Sequence, residues 1–336
     1  MVQANLVGVS ITGSGSAQLS RALSNDQLSQ IVDTSDEWIA SRTGIRQRYI
    51  AETQQSLSHI AAEAGRQALA MAKLPPESVQ LIILATSTPD DLFGSACQVQ
   101  TLLGATHAVA FDLTAACSGF VFSLVTAAQY LRQGVYQNVL VIGADILSRW
   151  TDWSDRRTCI LFGDGAGAVV MQASDVDGLL GFELCSDGRL NGCLKLSYQS
   201  EPLEIVEGIQ GQQGTFQPIT MNGREVYKFA VSRVPEVLEK ALFRAGKTPR
   251  DIDWLVLHQA NQRILDAVAE RLEVPSERVV SNMACHGNTS AASIPLALDE
   301  VVRAGKVRPS DLIATAGFGA GLTWGAAIFE WAAGPA

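Results

Sequence analysis

A few short stretches hold the side chains whose types and placement could carry chemistry. In "FDLTAACSGF" (111–120), Cys117 stands where an apolar run breaks and a helix-like segment begins. A thiol at a helix start feels the positive end of the helix dipole and the free backbone N–H groups, which lower its pKa and favour thiolate. The small neighbours Ala115, Ala116, Ser118 and Gly119 leave room for a substrate to approach. Taken alone, Cys117 could be a small buried side chain, a metal ligand or a nucleophile. His258 ends the strand-like "WLVLHQAN", either as a core histidine with a backbone partner or as a group with a specific job. Asn288 lies in "HGNTSAAS" (286–293), a polar turn before the helix-like "IPLAL", where it or Thr289 could cap that helix.

A second kind of chemistry is suggested by "DTSDEWIASRTGIRQR", which gathers Trp38, Arg42, Arg46 and Arg48. One reading is an exposed helix and loop with ordinary ion pairs. The other is a platform for an anionic ligand with an aromatic ring, held by stacking and guanidinium–phosphate contacts. "DWSDRRTC" adds Trp153, Arg156 and Arg157 with the same two readings. The glycine clusters "FGDGAGA" and "GFGAG" form neither a strand–GxGxxG–helix unit nor a P-loop, so they read as tight turns with close backbone approach. No C-x-x-C, H-E-x-x-H or paired-carboxylate motif is present, and no metal site is expected. Cys97, Cys159, Cys185, Cys193 and Cys285 read as structural thiols. His286 reads as a loop residue facing solvent or supporting the site from behind, and His59 and His107 have no evident partners.

These residues must be positioned by alternating strands and helices. "LSHIAAEAGRQALAMAKL" has helical periodicity, "VQLIILAT" and "NVLVIGAD" read as buried strands, and "SGFVFSLVTAAQYLRQG" as a buried helix closed by Gly134. The second half replays this order with "RVPEVLEKALFRAG", "IDWLVLHQA", "SIPLALDEVVRAG", "DLIATAGFG" and "WGAAIFEW". Adding 173 carries Ala68 to Ala241, Ala72 to Ala245 and Pro76 to Pro249, and lays "NVLVIGA" over "DLIATAG". The expected organisation is two repeat-related halves, 1–175 carrying Cys117 and 176–336 carrying His258 and Asn288. The repeat also puts "HGNTSAAS" at the place equivalent to "TAACSG", so Asn288 could share a pocket with Cys117. Residues 174–221 are Gly-, Gln- and Ser-rich and read as a long irregular connection.

With 47% hydrophobic and 18% charged residues, 336 residues can bury a large core. A net charge of −9 argues against nucleic acid as the main ligand. The sequence shows neither a secretory signal nor an apolar run long enough to span a membrane, so a soluble cytoplasmic protein is expected.

Together, "TAACSGF", "HQANQRI", "HGNTSAAS" and "GFGAGLTWG" resemble the β-ketoacyl-[acyl-carrier-protein] synthase III family of thiolase-fold condensing enzymes, over essentially the whole chain. The resemblance implies an α/β fold of five αβαβα layers with Cys117, His258 and Asn288 as catalytic residues. It implies that Phe318 borders the cysteine and histidine, that Gly319 and Ala320 belong to the same oxyanion-stabilising turn, and that Trp38 and Arg156 sandwich the adenine of coenzyme A. Arg42 would lie near the phosphates, Gly223 and Asn261 along the pantetheine arm, and Arg263 at the mouth that meets acyl carrier protein. Phe93 would reach across a homodimer interface into the partner's acyl pocket. The implied substrates are acetyl-CoA and malonyl-carrier protein, with no cofactor. Arg157 and Arg224 depart from residues that are uncharged in other members, and 183–217 matches poorly. A synthase using a longer or branched primer would share every catalytic residue; a cysteine-dependent thioester hydrolase would also use Cys, His and Asn. A degradative thiolase would need a second cysteine near "GFGAG", which the chain lacks.

Overall fold

The computed structural model of the chain describes residues 7–332; the outer ends of the two expected halves, 1–6 and 333–336, lie outside them. The buried runs of the first half form β1 (Gly8–Ser16), β2 (Leu81–Ala85), β3 (Val109–Leu113), β4 (Asn138–Asp145) and β5 (Gly165–Ser174). They make one sheet in the order β1-β5-β4-β2-β3. β2 is parallel to β3 and β4, while β5 is antiparallel to β4 and β1. The second sheet contains β6 (Leu179–Ser186), β7 (Trp254–Leu257), β8 (Leu312–Gly319) and β9 (Thr323–Glu330), in the order β7-β8-β9-β6. β7 and β8 are parallel and the other pairs antiparallel. The order and directions repeat those of the first sheet, with β3 replaced by a single parallel bridge, Leu255–Val279.

Seven helices matter for positioning the site: α1 (Asp36–Thr43), α2 (Leu57–Met71), α3 (Ala96–Leu103), α4 (Gly119–Arg132), α5 (Gly223–Arg244), α6 (Gln262–Arg271) and α7 (Ser293–Arg303). From Gly119 to Leu131, α4 carries no charged residue, as a helix covered on all sides requires. It lies with α7 between the sheets, where Phe120, Leu124, Ile294 and Leu298 pack against Ile83 and Val141 of one sheet and Val256 and Ile313 of the other. α2 and α3 cover the first sheet through Ile60, Leu69 and Val99. α5 and α6 cover the second through Val234, Leu238 and Leu265. The layers therefore run α, β, α, β, α.

The alanines that align at a spacing of 173 do the same physical work in each half. A Cβ at Gly13 would lie 2.4 Å from the Ala68 carbonyl oxygen and 3.0 Å from the Ala72 Cβ. A Cβ at Gly181 would lie 2.5 Å from the Ala241 carbonyl oxygen and 3.1 Å from the Ala245 Cβ. In both places a helix approaches an edge strand so closely that one partner must be glycine.

Two expectations need correction. The connection at 174–221 is not irregular: it supplies β6, which completes the second sheet, and a hairpin of Tyr198–Val206 with Ile209–Phe216. Its strand pattern is obscured because the hairpin is exposed on both faces and needs no apolar alternation. Second, α5 begins ten residues before "RVPEVLEKALFRAG" and passes through Pro235. Gly13→Ala and Gly181→Ala are each expected to cost about 1–3 kcal/mol of stability, the typical penalty for overpacking. Urea unfolding of each variant checks this.

Candidate active site

Cys117 sits in a tight turn, Ala116–Ser118, between β3 and α4. Ala116 adopts a left-handed φ of 45°, an unfavourable conformation for a side chain with a Cβ. The strand carrying "GFG" holds the turn there. A Cβ at Gly319 would fall 2.5 Å from the Cys117 nitrogen, and one at Gly317 would fall 3.1 Å from the Ser118 Cα. Thr323 fastens the two segments: its hydroxyl contacts the carbonyls of Ala115 at 3.1 Å and Ala320 at 3.2 Å, and the Ser118 hydroxyl at 2.8 Å.

His258 follows β7, and its backbone N–H donates to the Ala316 carbonyl of β8. Its ring is almost fully buried and meets Phe318 edge-on, with centroids 5.2 Å apart and planes at 70°. Its partner is a side chain rather than the backbone: Nδ1 lies 2.7 Å from Ser293 Oγ at the start of α7. The Ser293 oxygen already accepts from the Gln259 N–H at 3.3 Å. Donation of the Ser293 hydroxyl to Nδ1 then places the ring proton on Nε2.

Asn288 is held by its backbone, with N–H donating to the Leu161 carbonyl at 2.9 Å and its carbonyl accepting from Gly163 N–H at 3.0 Å. Its Oδ1 accepts from Ser290 N–H at 2.9 Å, so the side chain is engaged at the start of the short turn at 290–292 and does not cap α7. This orientation leaves the Nδ2 hydrogens available to a ligand. Ser290, buried with a φ of 53°, ties the site together. Its hydroxyl stands near both the Cys117 thiol and the Asp145 carboxyl and favours the charged form of each. Asp145, wholly buried at the end of β4, also accepts from Ser87 N–H at 2.8 Å, Thr88 Oγ1 at 3.0 Å, and Thr86 Oγ1 and Ala291 N–H at 3.2 Å each.

The electrostatics overturn one expectation. Cys117 does stand at a helix start, but burial pushes its thiol up to about 12; the Ser290 hydroxyl lowers it and the nearby Asp145 raises it. The free protein therefore holds a thiol at neutral pH, not a standing thiolate. Burial also lowers His258 to about 3, so its imidazole is neutral. Desolvation raises Asp145 despite its donors.

The side chains expected to form a ligand platform lie near one another on the surface at α1. The guanidinium carbons of Arg42 and Arg156 lie 4.4 Å and 4.8 Å from the Trp38 ring centroid. Asn261 caps α6 and donates through Nδ2 to the Arg42 carbonyl at 3.1 Å, while Arg263 donates to the Ser41 carbonyl at 2.9 Å. Gly223 opens α5, where an added Cβ would meet only Met221, at 3.6 Å. Arg157 is exposed and paired with Asp155. Phe93 is 99% exposed. Arg48 departs from the exposed reading: it is completely buried. His286 pairs with Glu300 at 2.7 Å and packs against Tyr49.

Sequence reasoning missed Ser290, Ser293, Asp145 and Thr323. Two lie inside "HGNTSAAS", and Asp145 is the lone charge ending a buried strand, a signal that was present but not read.

Two sheets of matching order, with a buried cysteine opening a helix sandwiched between them, define a thiolase-like fold of condensing enzymes. Residues 111–188 match the family of 3-oxoacyl-[acyl-carrier-protein] synthase III, and residues 242–331 match its C-terminal family. A beta-ketoacyl-[acyl-carrier-protein] synthase III of Synechococcus elongatus is 68% identical over 326 residues, 97% of each chain. That of Trichormus variabilis is 66% identical, covering 97% of this chain and 98% of the relative. The 3-oxoacyl-[acyl-carrier-protein] synthase III structure from Aquifex aeolicus superimposes with a TM-score of 0.88 at 44% identity, covering 96% of this chain and all of the other. The chain belongs to the β-ketoacyl-[acyl-carrier-protein] synthase III family and is an acyltransferase.

Because His258 protonates near pH 3 when folded but near 6.5 when free, the unfolded chain binds a proton that the folded chain refuses as pH falls below 6.5. This group removes about 1.4 kcal/mol of stability per pH unit over that window. His258→Gln should flatten the acid side of the stability profile, read from urea midpoints at about pH 5 and pH 7.5.

Proposed function

We propose that this chain carries out the initiating condensation of fatty acid synthesis, joining acetyl-CoA to malonyl-carrier protein to give acetoacetyl-carrier protein, CoA and CO₂. The observation that carries the reading is the buried convergence of Cys117, His258 and Asn288 through Phe318, Gly319 and Ser290, in a chain two-thirds identical to synthases of that name.

In the first half-reaction the Cys117 sulfur attacks the primer thioester, the bond to the CoA sulfur breaks, and the Cys117 proton departs on CoA. The Cys117 N–H, with a donor from the Phe318–Gly319–Ala320 turn, stabilises the tetrahedral oxyanion. In the second half-reaction the malonyl carbon–carboxylate bond breaks, and its electron pair enters an enolate. Nε2–H of His258 and Nδ2–H of Asn288 donate to the enolate oxygen, and neutral donors suit a site where burial disfavours imidazolium. The carbanion then attacks the acyl-Cys117 carbonyl and expels the cysteine sulfur, which regains a proton. The surrounding apolar residues keep bulk water from the carbanion.

At the surface, Trp38 and Arg156 stack on the adenine, Arg42 meets the phosphates, Gly223 and Asn261 follow the pantetheine arm, and Arg263 meets the carrier protein. The exposed Phe93 supports a homodimer in which it enters the partner's acyl pocket. We take residues 1–175 and 176–336 as the two catalytic halves, and the enzyme as cytoplasmic and independent of a cofactor; among the described residues no helix is long and apolar enough to cross a membrane.

A longer or branched primer is the second reading. A priming β-ketosynthase from the R1128 polyketide pathway is 34% identical with a TM-score of 0.90. Methylene-scale pocket differences are worth only about 1–3 kcal/mol, so product length from an acyl-CoA panel with malonyl-carrier protein decides between them. Acetoacetyl product is expected to dominate.

Cys117→Ser should abolish acyl-enzyme formation. His258→Ala and Asn288→Ala should retain acyl transfer and lose malonyl decarboxylation by about a hundredfold or more. Mass spectrometry of the acyl-enzyme and CO₂ release separate the steps; wild-type decarboxylation by Asn288→Ala would overturn the enolate role.

A further inference from the structure

Arg48 is a fully buried guanidinium whose hydrogen-bond partners are all neutral oxygens. Nη1 donates to the Leu23 carbonyl at 3.2 Å and to Asn25 Oδ1 at 2.9 Å, and Nη2 donates to the Ile160 carbonyl at 2.7 Å. Nε has no partner. A buried cation without a carboxylate is costly, so its retention calls for a physical reason.

The reason lies in what it touches. The Ile160 carbonyl precedes the strip Leu161–Gly163, which forms a parallel bridge to Asn288. That bridge consists of Asn288 N–H to Leu161 and Gly163 N–H to Asn288, the bonds that set the height of the Asn288 backbone. The Arg48 stem fills the space beside both sides of the bridge. A Cβ at Gly163 would stand 2.9 Å from the Arg48 Cβ, and one at Gly287 would stand 3.4 Å from it. The backbone around Arg48 is anchored to the same two segments, Arg46 N–H to Ala284 and Asp164 N–H to the Tyr49 carbonyl. One planar fork thus joins Leu23 and Asn25 on one side to the bridge on the other, which a lysine's single ammonium cannot reproduce.

We propose that Arg48 is a positioning residue for Asn288: by clamping Ile160 and packing on Gly163 and Gly287, it sets where the Asn288 amide stands in the site. This rests on the reading of Asn288 as a donor in decarboxylation. None of the Arg48 contacts reaches Cys117 or His258 directly, so its effect falls mainly on the second half-reaction.

The test is a double-mutant cycle read on separate half-reactions. Arg48→Met fills the volume with an apolar chain, and Arg48→Lys keeps a charge but loses the fork. In both, acetyl transfer to Cys117 should stay within about threefold of wild type, while malonyl decarboxylation falls about tenfold or more, less for lysine. In an Asn288→Ala background the same substitutions should change decarboxylation little, because the group they misplace is gone. Parallel loss of both half-reactions, unchanged decarboxylation, losses that multiply with that of Asn288→Ala, or failure of both variants to fold would each overturn the proposal. Asn288→Ala alone separates the two levels. Wild-type decarboxylation there removes the role of Asn288 and that of Arg48 with it, whereas multiplying losses remove only the latter.

Discussion

The close approach of Gly319 to the backbone of Cys117 is the constraint on which the site depends. With 2.5 Å between a Cβ at 319 and the Cys117 nitrogen, no side chain fits. The strand of one half therefore presses directly on the nucleophile turn of the other. That pressure holds Ala116 in its left-handed conformation, brings Phe318 against His258, and leaves Thr323 placed to bind the turn from both sides. Loosening this contact would move the sulfur, the histidine and the oxyanion donors together.

Burial makes the site dry, and drying has consequences that proximity to a helix start does not foretell. The thiol and the imidazole are both neutral when free, because desolvation outweighs the dipole and the hydrogen bonds. The catalytic arrangement is thus a set of neutral donors and acceptors that charge only as bonds are made. Two ionisable groups are nevertheless kept inside, Asp145 and Arg48. Each is surrounded by hydrogen-bond partners, Asp145 by hydroxyls and backbone N–H groups and Arg48 by carbonyl and amide oxygens. Both sit where separate chain segments have to be held in register, so their fixed geometry, more than their charge, is what the fold uses.

Much of the architecture was legible because it is periodic. "NVLVIGAD" became β4 over 138–145 without change, and the alanines matched at 173 proved to be helix positions pressed onto glycines. The hairpin at 198–216 escaped because strands exposed on both faces carry no apolar alternation. Arg48 was misread for a related reason: in a stretch with Arg42 and Arg46, its type says surface, and only the packing of Gly163 and Gly287 around its stem reveals burial.

What the amino-acid sequence by itself determined was the repeat and the order of the motifs that carry Cys117, His258 and Asn288, since these are local matters of residue type and spacing. The tertiary structure alone decided their states and supports. The thiol is un-ionised because the surrounding chain removes water. Ser293, thirty-five residues away in sequence, lies 2.7 Å from the histidine's Nδ1, where donation of its hydroxyl would leave the ring proton on Nε2. The Asn288 amide oxygen is taken by the Ser290 N–H, which leaves the Nδ2 hydrogens for another partner. Desolvation and long-range hydrogen bonds depend on what the folded chain places around a residue, and neither is written in the neighbours along the chain.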